Sequence, residues 1–187
     1  MIWSRQAASE RGTADEPGIY VFTTRGRLDT LEHIHEVLVA VAANFVAPMR
    51  GVAEGASVSF DDIVVLNAME AVTMDALHLT RCTSFAVNEE RTADGHVLLA
   101  HNEDWVPEDE NDVYVVSAKP KDEPPFLAMT YGGLLPNVGF NAYGIAQLID
   151  SVYPSDSRIG IPRLVVARAV LASRRLSGAI GRTLVSH

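Results

Sequence analysis

An α+β domain of packed layers is what this sequence predicts, and three observations lead there. Apolar residues recur at helical spacing in the first third of the chain, short β-rich segments divided by turn residues follow, and helical spacing returns after Pro162. With 187 residues, 48% of them hydrophobic, the chain can bury one core.

Residues 1–18 are polar and rich in small side chains and end at Pro17-Gly18, the pattern of a disordered arm. A short strand is expected at Ile19–Thr23. Asp29 is placed to cap a helix reaching about Ala47, with Leu31, Ile34, Leu38, Val41 and Phe45 on one face. His33 and His35 lie two apart on that helix, so they face different directions and read as surface or packing histidines.

Ser59, with Asp62 three residues on, predicts a capping-box start for a second helix to about Val72. Ile63, Leu66, Asn67 and Glu70 lie along it. From Cys82 the chain reads as strands at 82–90, 96–103, 113–118, 126–131, 137–141 and 144–150. Asp94-Gly95 supplies a turn between the first two, and Asn141-Ala142-Tyr143-Gly144 one between the last two. Pro162 opens a final helix carrying Leu164, Val165, Ala167, Arg168 and Leu171.

A formal net charge of -9 excludes general nucleic-acid binding, which needs clustered Lys and Arg. Much of the acidity lies in Glu103, Asp104, Glu108, Asp109, Glu110 and Asp112. A solvated loop is expected at 108–112, since a calcium loop would need carboxylates at alternate positions and a glycine. No segment approaches the roughly 20 apolar residues of a membrane span. The N-terminus leads into a polar stretch rather than an apolar signal core, and with one cysteine the expected compartment is the cytoplasm.

Cys82 is that cysteine. One thiol makes no internal disulfide and is too few for a zinc site, which leaves buried packing or nucleophilic chemistry. Side chains two apart in a strand share a face, so Asn102 and Asp104 lie on one side and His101 and Glu103 on the other. The hairpin brings that strand beside Cys82, where a thiol, a carboxylate and an amide can converge. A metal-dependent hydrolase built on His96, His101 and the acidic run is disfavoured, because those histidines are five apart in a strand and face opposite sides.

Cys82-Thr83-Ser84-Phe85, Asp94-Gly95, His101-Asn102-Glu103-Asp104-Trp105 and Val138-Gly139-Phe140-Asn141-Ala142-Tyr143-Gly144-Ile145 follow one another in the chain. Upstream stand Arg50–Ala56 and Asp61–Asn67. Together they resemble the autoproteolytic acyltransferase/hydrolase family typified by acyl-coenzyme A:6-aminopenicillanic acid acyltransferase (isopenicillin N acyltransferase), over roughly residues 48 to 176.

The resemblance implies an N-terminal nucleophile (Ntn) hydrolase with a four-layer α-β-β-α fold, here incomplete. Residues 1–81 would be a helical pro-segment and 82–187 the first part of the catalytic region. Cys82 would be the nucleophile, freed as a new N-terminus by cleavage between Arg81 and Cys82, and the two segments would form a heterodimer. Asp104 would support the nucleophile, Asn102 would be a positioning group, and Asn141 and Gly144 would build a structural turn.

The implied substrate is a small acyl amide or acyl thioester, with no cofactor and no metal. Arg81 stands where the typifying enzyme usually has glycine, and no glycine-spaced opening strand precedes Ile19. The family's oxyanion asparagine and substrate-side arginine have no counterpart in this sequence. A truncated chain is therefore expected, with a catalytically inactive fragment as the alternative to a working enzyme.

Overall fold

The computed structural model describes residues 43–70, 82–105, 107–152 and 160–184. The arm at 1–18, the strand at 19–23, the expected helix from 29 to 42 with His33 and His35, and Arg81 lie outside the described residues.

Helix α1 (Ala43–Ala56) runs past the expected end at Ala47 and holds Pro48 within it. Helix α2 (Phe60–Asn67) begins as its sequence dictates. The Asp62 backbone N–H donates to Ser59 Oγ (3.1 Å), and the Ser59 N–H donates back to the Asp62 carboxylate (3.3 Å). Two of the helix's orphan donors are thereby satisfied. Ile63, Val64 and Leu66 of α2 are buried; Ile63 and Val64 pack with Met49, Val52 and Ala53 of α1.

Two antiparallel sheets follow. Strands β1 (Thr83–Val87) and β2 (Leu98–Asn102) form a hairpin, and β3 (Val113–Ala118), β4 (Phe126–Tyr131), β5 (Val138–Asn141) and β6 (Ala146–Gln147) form a sheet in that order. β3 and β4 occupy the expected residues, while the other four strands are shorter. The Asp94-Gly95 turn is not a tight hairpin. Glu89–Arg91 makes a 3-10 turn, and the connection runs from Asn88 to Val97, with Gly95 at φ 73° inside it.

The four-stranded sheet buries one face. Val116, Ala118, Phe126 and Ala128 pack against Leu171 of helix α3 (Arg163–Leu171), and Leu135 and Val165 join the α1–α2 cluster. Alternate residues Val113, Val115, Leu127 and Phe140 project from the other face into solvent, as a period of two requires. Between β4 and β5 only glycine fits at 139, since a Cβ there would lie 2.2 Å from the Leu127 carbonyl oxygen.

Two buried asparagines fasten helices to this sheet. Asn67 Nδ2 donates to the carbonyls of Ile63 (2.9 Å) and Gly133 (3.1 Å), and its Oδ1 accepts from the Leu135 N–H (2.7 Å). Asn141 Nδ2 donates to Leu171 O (2.8 Å) and Ser173 O (2.6 Å) just past α3, and its Oδ1 accepts from the N–H groups of Tyr143 and Ile145. Gly144 completes that turn at φ 77°. A helix absent from the sequence reading, α4 (Leu176–Leu184), follows α3 and buries Ala179 against Ile145 and Val170. The architecture is α+β, in keeping with part of an Ntn-like layered fold.

Candidate active site

Cys82 lies immediately before β1 and is half-buried. The hairpin register pairs Thr83 with Asn102 and Ser84 with His101, which continued by one residue sets Cys82 opposite Glu103. Directly opposed residues of an antiparallel pair point to the same face. The thiol therefore shares its face with Ser84, His101 and Glu103, and ligand atoms of Cys82, His101 and Glu103 all lie within 4.8 Å of one another.

Ser84, His101 and Glu103 form a chain of hydrogen bonds. His101 Nε2 lies 2.7 Å from the Glu103 carboxylate, and His101 Nδ1 lies 2.9 Å from Ser84 Oγ. A carboxylate only accepts, so Nε2 carries the proton of that bond. In the neutral ring Nδ1 then accepts from the Ser84 hydroxyl. The imidazole is almost fully enclosed, at 6% side-chain exposure.

Asn102 and Asp104 are placed otherwise. Both are exposed, on the face opposite His101 and Glu103. Asp104 reaches the thiol through its backbone, whose N–H donates to the sulfur and favours the thiolate. That effect is outweighed. Partial burial, the largest influence, and the negative charges of Glu103, Asp150 and Asp104 push the Cys82 thiol above its ordinary range.

Further groups line the corner. Arg163, the first residue of α3, donates from Nε to Glu70 Oε2 (2.6 Å) and pairs through Nη2 with Glu70 Oε1. Burial works against its charge, but the hydrogen bond and charge of Glu70, with smaller help from Glu103 and Cys82, hold it more firmly protonated than usual. Burial likewise raises the Tyr131 phenol, helped by the charge of Glu103.

Trp105 stacks at a tilt on Tyr131, with centroids 5.5 Å apart, and donates from Nε1 to Asp109 (2.7 Å). Asp109 is buried, which corrects the expectation of a wholly solvated acidic loop; Glu108 and Glu110 are exposed as expected. An aromatic N–H aimed into the loop gives one of its carboxylates a reason to turn inward.

The acyl-coenzyme A:6-aminopenicillanic acid acyl-transferase family model matches residues 90–183, from within the 3-10 turn after β1 into α4. The chain belongs to that family. Cys82 lies just upstream of the matched stretch. The chain is also 28% identical, over 155 residues, to the β-alanyl-dopamine/carcinine hydrolase of Drosophila melanogaster, an alignment covering 72% of this chain and 39% of that protein. It thus spans well under half the length of that relative. The family acts on small-molecule acyl substrates. Among the described residues, no helix is long and apolar enough to cross a membrane.

The residues that sequence reasoning passed over at this corner are His101, Glu103 and Ser84 as neighbours of the thiol, and the Arg163–Glu70 pair. The first set had a signal. A turn centred on Asp94-Gly95 opposes even-numbered residues to odd-numbered ones, so it already turns Cys82 toward His101 and Glu103 rather than Asn102 and Asp104. The second had none, because Glu70 and Arg163 meet only through tertiary packing.

Proposed function

We propose that this chain is an Ntn-type cysteine amidohydrolase or acyltransferase that forms an acyl-enzyme on Cys82 after cutting itself between Arg81 and Cys82. The observation that carries the reading is the placement of Cys82. It lies immediately before β1 and upstream of the family-matched stretch that starts at residue 90, with the Asp104 N–H on its sulfur and an imidazole–carboxylate pair beside it. Residues 1–81 act as the pro-segment and 82–187 as the first part of the catalytic region.

In self-cleavage the sulfur attacks the carbonyl carbon of Arg81 as its proton passes to a neighbouring acceptor. The C–N bond breaks, the departing nitrogen takes a proton, and water hydrolyses the resulting thioester. This leaves a carboxylate on Arg81, and a free thiol and α-amine on Cys82. In the uncut chain the surroundings hold the thiol protonated. The freed amine, with an ordinary pKa of about 7.7 to 8.0, is a base suited to removing that proton near neutral pH.

The thiolate then attacks the acyl carbonyl of a small amide or thioester, and the amine or thiol leaves with the proton. Water or an amine takes the acyl group from sulfur. Asp104 orients the nucleophile through its main chain, and Asn102 positions the strand end. A relative named for hydrolysing β-alanyl-dopamine and carcinine supports small acyl conjugates as substrates.

After cleavage the segments stay together as a heterodimer. Asn67 and Glu70 on the first reach Gly133, Leu135 and Arg163 on the second, and Met49 and Ile63 share a core cluster with Leu135 and Val165.

Intact mass spectrometry after thiol alkylation tests the reading. The expected products are residues 1–81 and 82–187, the second starting at an alkylated Cys82, with a single uncut chain for Cys82→Ala. A wild-type chain that stays whole overturns self-cleavage. Acyl transfer surviving in Cys82→Ala overturns the nucleophile.

A further inference from the structure

We propose that Cys82 Sγ, His101 Nε2 and a Glu103 carboxylate oxygen form a binding site for one thiophilic divalent cation, with zinc the ion that best matches the donor set. The inference rests on the geometry of the three donors and is independent of the catalytic reading: a chain whose Cys82 never attacked a carbonyl would still hold the ion.

One cysteine is too few for a zinc site by itself, but His101 and Glu103 complete the donor types zinc takes, one thiolate, one imidazole and one carboxylate, at bond lengths of about 2.0–2.3 Å. Tetrahedral ligands at those lengths stand about 3.3–3.7 Å apart. Donor atoms within 4.8 Å of one another, two of them 2.7 Å apart, are no more than about 1.5 Å from that spacing. Their placement follows from the hairpin, since Ser84 opposes His101 by register and Cys82 and Glu103 each lie one residue beyond the last pair, Thr83 and Asn102. A fourth position is left to water, as in sites with three protein ligands.

Ser84 is the second observation. A histidine that ligates through one nitrogen is normally held through the other, and Ser84 Oγ sits 2.9 Å from His101 Nδ1. Without a metal, a proton lies between Nε2 and the Glu103 carboxylate, 2.7 Å apart. The cation takes that place. The ring proton moves to Nδ1 and is donated to Ser84 Oγ, whose own hydrogen turns away. The Cys82 S–H bond breaks as the S–metal bond forms, releasing one proton to solvent. No oxidation or reduction takes place.

The field at the sulfur also suits a cation. Glu103, Asp104 and Asp150 all bear on it as negative charges, while the nearby positive charge of Arg163 is engaged by Glu70. With its sulfur held by the ion, Cys82 is withdrawn from attack on any carbonyl.

The test is titration of the purified, reduced chain with Co2+ alone, followed by displacement with Zn2+. Cleavage state is checked by mass, since the three donors are present in cut and uncut forms. One equivalent of Co2+ is expected, with near-ultraviolet thiolate-to-metal charge transfer and visible bands of tetrahedral intensity, all bleached by Zn2+, which binds N/O/S sites more tightly. The isosteric Cys82→Ser should abolish the charge-transfer band. Ser84→Ala, which leaves all three ligands in place, should weaken Zn2+ binding by about 10- to 100-fold. A wild-type spectrum without thiolate charge transfer, or Zn2+ affinity unchanged in both variants, overturns the proposal.

Discussion

The four-stranded sheet buries a whole face beneath helices, whereas the hairpin that carries the thiol leaves Phe85, Leu98 and Leu99 in solvent. In the sheet, glycine-tight strand contact and two buried asparagines fix the backbone. In the hairpin, the ordered features are a short register and one line of polar contacts from Ser84 through His101 to Glu103. Close packing is thus concentrated in the sheet and the cluster of titratable groups in the hairpin, and substitutions in the two regions should read out differently.

The largest effect is expected where the sheet is tightest. Gly139→Val places side-chain atoms inside the backbone of β4, and should lower unfolding free energy by about 3 kcal/mol or more, measured by urea denaturation. A midpoint near wild type would mean that the β4–β5 contact is looser than described. Asn141→Ala comes next. It strands the carbonyls of Leu171 and Ser173 and should cost about 2–4 kcal/mol on the same measurement.

A pair of substitutions contrasts the two faces of the sheet side. Leu171→Ala, from a fully buried side chain, should cost about 2–5 kcal/mol. Val115→Thr on the open face, where the side chain is 63% exposed, should stay within about 0.5 kcal/mol of wild type. Equal losses would show that the open face is covered in solution.

The largest effect on the thiol belongs to Glu103→Gln. Alkylation proceeds through the thiolate, so in the uncut chain its rate should rise with pH around a midpoint above the ordinary thiol value of about 8.5. Removing the Glu103 charge takes away one of the influences that disfavour the thiolate. The midpoint should then move down, and reaction at neutral pH should quicken. An unmoved midpoint would leave the raised value to burial and the charges of Asp150 and Asp104.

What was legible in the sequence follows from how local each signal is. Ser59 and Asp62 form a capping box within one turn, so the start of α2 could be read directly, though it ends at Asn67 rather than at about Val72; β3 and β4 occupy their expected residues. The Asn141–Gly144 turn was equally local, yet its side-chain bonds to Leu171 and Ser173 cross thirty residues and could not be foreseen. At the candidate site, Cys82 stood out by being alone, and Asn102 and Asp104 by motif. The face they occupy depends on the parity of the hairpin register, which brings His101 and Glu103 to the thiol and leaves Asp104 to act through its N–H. α4 escaped because Gly178 and Gly181 interrupt its helical composition; packing of Ala179 under Ile145 and Val170 supplies what propensity lacks.

The placing of Cys82 among carboxylates has a consequence for how the sulfur ages. Peroxide oxidises thiolate, and a thiol kept protonated and half-buried forms sulfenic acid slowly. Within these 187 residues no second cysteine stands to capture a sulfenic acid as a disulfide, so what they offer an oxidised sulfur is a backbone nitrogen, a thiol from elsewhere or the irreversible acids. The same burial and negative surroundings that disfavour the thiolate therefore slow the oxidation of this sulfur.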